Sequence, residues 1–159
     1  MKKLLFAGLL LVAFSTASFA REVVATGKSN TSLGDYTITV ADKPLTVNGE
    51  ELKSFIISYK NSPLEVTVAI KKGKKCKDFI VLSDKLCVQY TCTKDYFGVQ
   101  KLDENTECEG YNVSDAFLNR SQYFHQKKLT HGQNSELENT QMIAAYFPML
   151  INEEVVAEK

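Results

Sequence analysis

Four cysteines, at 76, 87, 92 and 108, are the residues of this chain most able to do chemistry; three lie within CKDFIVLSDKLCVQYTC, residues 76–92. Thiols can ligate metal, exchange electrons, act as nucleophiles or pair as disulfides. Structural zinc sites use close C-x₂₋₄-C pairs, whereas the gaps here are ten, four and fifteen residues. Cys87 and Cys92 have a near-matching gap, but on one strand their odd separation points them to opposite faces. No C-x-x-C is present, which removes the motif for thioredoxin-like exchange. The sequence therefore assigns no metal site and no cofactor. An even cysteine count in an exported chain points instead to staples.

The two histidines, His125 and His131, are six residues apart. That spacing sets them on different sides of a helix, so they do not form an i, i+4 metal pair. No G-x-S-x-G, H-E-x-x-H or phosphate-loop pattern accompanies them. Catalytic residues are left unassigned. Two features suit binding. The run KKGKKCK carries Lys71, Lys72, Lys74, Lys75 and Lys77, a local positive charge that would meet an anionic partner or keep a strand edge soluble. Tyr96 and Phe97 are adjacent aromatics after a polar turn, one of which can serve as an exposed anchor.

The ends of the chain say where such residues would act. Residues 1–20, MKKLLFAGLLLVAFSTASFA, have paired lysines, an apolar run and a small-residue cleavage site. This is the three-part pattern of a cleaved secretory signal peptide, of bacterial type. Its apolar run is too short to span a bilayer. Removing it leaves 139 residues with 17 basic and 19 acidic side chains. That near-neutral balance gives no global attraction to nucleic acid. The expected product is soluble, has no transmembrane anchor, and is periplasmic or extracellular. Its partner would be an anionic envelope component or another exported protein.

The elements that must position these residues follow from periodicity. Residues 21–34 are polar and read as a flexible lead-in; residues 35–152 read as a single domain and 153–159 as a solvated tail. Tyr36–Val40 and Leu64–Ile70 alternate apolar and polar, as half-buried strands do. Asn48-Gly49 signals a tight turn. Residues 50–60 fit either period, with β-branched and aromatic content favouring strand. Residues 78–82 and 86–92 read as a hairpin, and 97–99 as a further strand. Ser114-Asp115 opens a predicted helix ending near His131-Gly132, and Ser135 with Glu138 forms a capping-box pattern for a second, which Pro148 should stop or kink. Strands followed by helices predict an α+β fold: a mainly antiparallel sheet of about five to seven strands, one or two C-terminal helices on one face, and disulfide staples.

Strand geometry then selects the cysteine pairs. Cys87 and Cys92 on one strand are ~16 Å apart, too far for a disulfide. A three-residue turn at Ser83-Asp84-Lys85 would set Cys76 opposite Cys92 and aim Cys87 at the other face. The predicted bridges are Cys76–Cys92 and Cys87–Cys108. The functional expectation is a non-catalytic binding or interaction module. The alternatives are a small periplasmic hydrolase using Asp/Glu or His, and a secreted inhibitor presenting the 83–85 loop.

Overall fold

The computed structural model describes residues 21–73, 77–92, 96–113, 127–128 and 135–157. Ten strands and one helix are present among them: β1 (Val23–Lys28), β2 (Asp35–Val40), β3 (Leu45–Val47), β4 (Glu50–Leu52), β5 (Ser54–Tyr59), β6 (Ser62–Lys72), β7 (Lys77–Leu82), β8 (Cys87–Cys92), β9 (Tyr96–Lys101), β10 (Lys127–Lys128) and α1 (Glu136–Ala157). Eight strands form one antiparallel sheet in the order β1-β2-β5-β6-β7-β8-β9-β10, and β3-β4 is a separate hairpin. The architecture is α+β, with a C-terminal helix on a mainly antiparallel sheet.

Side-chain alternation sorts the sheet into two buried faces. Ile38, Ile57, Val66, Val68, Phe79, Val81, Val88 and Tyr90 share one cluster with Ile143, Phe147 and Leu150 of α1. Ala69, Ile80, Leu82 and Cys87 point the other way and pack with Leu45, Val47 and Leu52 of the small hairpin and with Leu102, Cys108 and Val113. Residues 54–59 are thus strand: Phe55, Ile57 and Tyr59 all reach the helix-side core. Asn48 and Gly49 take positive φ of 49° and 80° in the β3-β4 turn, which suits a two-residue hairpin loop.

Residues 21–34 do not form a flexible lead-in throughout, because Val23–Lys28 pairs with β2. The small residue at Gly27 makes this close pairing possible. A Cβ there would collide with the Tyr36 hydroxyl and ring, so Tyr36 covers the glycine across the strand pair.

The predicted Ser135 cap is formed. Its Oγ accepts the Glu138 N–H at 3.0 Å, and the Glu138 carboxylate accepts the Ser135 N–H at 3.4 Å. The helix then runs through Pro148 and on to Ala157, past the predicted domain end at 152. Proline lacks the N–H that would serve the Ala144 carbonyl four residues earlier. Tyr59 supplies the donor instead, its hydroxyl lying 2.9 Å from the Ala144 carbonyl. The neighbouring Ala145 carbonyl accepts the Asn30 N–H at 3.3 Å. The sheet thereby satisfies the acceptor that Pro148 leaves open, and of the expected stop or kink, the stop does not occur. The other predicted helix falls mostly outside the described residues, as do both histidines. Lys127, assigned to it, lies instead on β10, paired with Phe97.

Candidate functional site

The lysine run and the Tyr96-Phe97 pair, about twenty residues apart in sequence, meet at one end of the sheet. Lys72 pairs with Lys77, Lys77 with Cys92, Cys92 with Phe97, and Phe97 with Lys127. One register row therefore carries Lys72, Lys77, Phe97 and Lys127, and the adjoining residues Lys71, Tyr96 and Lys128 flank it. Lys71 and Lys72 are exposed. Lys74 and Lys75 lie outside the described residues. The first turn of α1 closes this end: Glu136 lies 3.2 Å from Lys53 Nζ and 3.8 Å from Lys72 Nζ. Both lysines are mostly exposed, so these contacts position more than they stabilise. Beneath the row, Asn139 of α1 is fully buried, and its Oδ1 accepts a contact of 3.6 Å from the Cys92 thiol.

The 76–92 hairpin differs by one residue from the predicted register. Phe79 pairs with Tyr90 and Leu82 with Cys87, so Cys92 faces Lys77 rather than Cys76. Ser83 is the cause. Its N–H donates to the Leu86 carbonyl at 3.0 Å, and its Oγ accepts the N–H groups of Lys85 and Leu86. Leu86 is thereby drawn into a four-residue loop and buried in the helix-side core. The geometric argument for a Cys76–Cys92 bridge fails with this shift, and Cys76 itself lies outside the described residues. The parity argument survives it. Cys92 belongs to the helix-side cluster, whereas Cys87 and Cys108 share the opposite one. No disulfide is formed among the described residues, and Cys87 and Cys108 carry buried thiols.

Those two thiols are electrostatic neighbours. Burial, and then the adjacent Cys108, push the Cys87 thiol up to about 11, partly offset by a hydrogen bond to the Ser83 backbone. Burial also raises Cys108. Neither environment has the depressed pKa of a thiol poised for nucleophilic attack.

Cys108 also borders an open cavity of about 520 Å³, walled by Thr46, Glu104, Glu107, Glu109 and Tyr111 among others. The segment after β9 is sewn to the small hairpin to make this wall. The Asn48 N–H donates to the Glu107 carbonyl and the Glu107 N–H to Asn48 Oδ1, both at 2.8 Å, while the Glu109 N–H reaches the Thr46 carbonyl at 3.1 Å. Tyr111 anchors the far side, its hydroxyl 2.5 Å from Thr67 Oγ1. The sequence reading missed this wall, although DENTECE, residues 103–109, puts four carboxylates in seven positions. Because it leaves the opposite end of β9 from Tyr96, the acidic segment is separated from the basic row. Among the described residues, no group of three or more His, Cys, Asp or Glu is placed to hold a metal ion, and no helix is long and apolar enough to cross a membrane.

No family model, curated protein or solved structure matches the chain. The arrangement thus has to be interpreted from its own chemistry: a lysine-rich sheet end with Tyr96 and Phe97 in register beside it, and a polar cleft bordered by Cys108, whose thiol burial raises.

Proposed function

We propose that this chain is exported and acts as a non-catalytic binding module, holding a phosphate-bearing anionic component of the envelope at the basic end of its sheet. The observation that carries this reading is the register row uniting Lys72, Lys77, Phe97 and Lys127, with Lys71, Tyr96 and Lys128 beside it. A lysine-rich strand end attracts phosphate, and the carboxylates of 103–109 lie elsewhere; Glu136, which contacts Lys53 and Lys72, and Asp78, opposite Lys71, offset part of that charge. Lys74 and Lys75 extend the same run in sequence. The signal-like residues 1–20 support export, and the raised thiol of Cys108 favours a structural wall over a nucleophile in the cleft. The 83–86 loop, which an inhibitor would present, exposes only Asp84 and Lys85.

The test is co-sedimentation of residues 21–159 with phosphatidylglycerol vesicles, with phosphatidylcholine vesicles as control and soluble polyphosphate as competitor. Binding to the anionic vesicles that weakens with salt supports the reading. Competition by polyphosphate identifies phosphate itself, rather than the lipid surface, as what is recognised. Lysines near such a surface contribute about 1 kcal/mol each, so K71Q/K72Q/K127Q/K128Q should weaken partitioning by up to about a thousandfold at low salt. Equal binding by wild type and variant would remove the proposal.

A further inference from the structure

We propose that Cys87 and Cys108 become joined by a disulfide that fastens the 102–113 segment to the sheet, an inference that rests on export for its oxidising compartment. Cys87 opens β8 opposite Leu82, and its carbonyl accepts the Leu102 N–H at 3.3 Å. Cys108 bridges Val47 and Tyr111 in the covering segment. Both side chains lie in the same second-face cluster, exposed by 1% and 7%. Cys92 is on the other side of the sheet, against α1. Of the three described cysteines, only this pair therefore shares a face, and the Cys108 thiol contributes to raising that of Cys87.

Bond formation removes two electrons and two protons from the thiols, and a disulfide of another thiol compound accepts them. With oxidised glutathione, one cysteine thiolate first forms a mixed disulfide and releases one glutathione. The second cysteine then attacks the protein sulfur of that mixed disulfide and releases the other, giving a cystine and two reduced glutathiones. Burial holds both thiols protonated in the folded chain, so exchange is fastest while the second-face cluster is still open. The finished bond would fix one wall of the 520 Å³ cavity.

The experiment refolds residues 21–159 from the reduced, denatured state in a glutathione redox buffer and maps peptides without reduction. The expected dominant linkage is Cys87–Cys108, with a fall of roughly 10 °C in melting midpoint on reduction. A C76S/C92S variant should retain that fall. Linkage of either cysteine to Cys76 or Cys92, recovery of both as thiols, or loss of the fall in a folded C76S/C92S variant would overturn the proposal. Export is scored separately, by N-terminal sequencing of protein from the periplasm and medium. Cytosolic retention with residues 1–20 intact counts against export without altering the refolding result.

Discussion

Replacing Tyr59 by Phe tests the way this fold accommodates a proline inside its helix. Tyr59 is 4% exposed, and its hydroxyl donates to the Ala144 carbonyl, the acceptor that Pro148 leaves without an intrahelical partner. Y59F keeps the ring but strands a buried carbonyl. Stranding a buried acceptor costs about 1–3 kcal/mol, and about 2 kcal/mol is expected here. For a domain of this size that is a fall of roughly 6 °C in melting midpoint. The decisive assay is a double-mutant cycle by urea unfolding. In P148A the new N–H at 148 serves Ala144, and Y59F should then cost about 0.5 kcal/mol, a coupling of more than 1 kcal/mol between positions 59 and 148. Equal costs of Y59F in the two backgrounds would refute the compensation.

Three other outcomes follow from the same packing. G27A forces the Tyr36 ring off its seat on β1, and should destabilise by about 1–3 kcal/mol in urea unfolding. S83A removes the acceptor for the Lys85 and Leu86 N–H groups and should cost about 1 kcal/mol, measured as a lowered urea midpoint with an unchanged slope. The pH dependence has a definite sign. Cys87 is raised in the folded protein, so the unfolded chain loses this proton first. The contribution is intact below about pH 9 and is lost as pH rises toward 11. Buried Tyr59 and Tyr90, also raised, act in the same direction at higher pH. The melting midpoint of the reduced protein should fall across pH 9–11, and C87S should fall less steeply.

Local chemistry made much of the fold legible. Strict alternation at 36–40 and 64–70, Asn48-Gly49 and the Ser135–Glu138 box each depend on near neighbours, and each appears in the structure. What escaped the sequence depends on distant partners. Pro148 reads as a stop or kink, and the helix continues through it because Tyr59, nearly ninety residues earlier, provides the missing donor. Residues 23–28 read as a lead-in because an edge strand bordered by glycine has a weak period, and only pairing with Tyr36 fixes it. The hairpin register turned on whether Leu86 belongs to strand or loop, a choice made by the Ser83 hydroxyl and by space in the helix-side core. At the candidate site, Lys71, Lys72, Tyr96 and Phe97 stood out individually, whereas their alignment required the register of four successive strand pairs. The acidic wall at 103–109 was visible as charge but not as part of a cavity, because its seam to Asn48 and Thr46 joins distant segments through backbone groups and the Asn48 side chain.

The central claim is that the basic sheet end is the binding surface. Amide chemical-shift mapping of residues 21–159 during titration with short-chain polyphosphate addresses it most directly. The account predicts shifts concentrated at 71–77, 91–97 and 127–128, reduced by added salt and abolished in K71Q/K72Q/K127Q/K128Q. Shifts centred on 46–49 and 104–113, or none at millimolar polyphosphate, would contradict it.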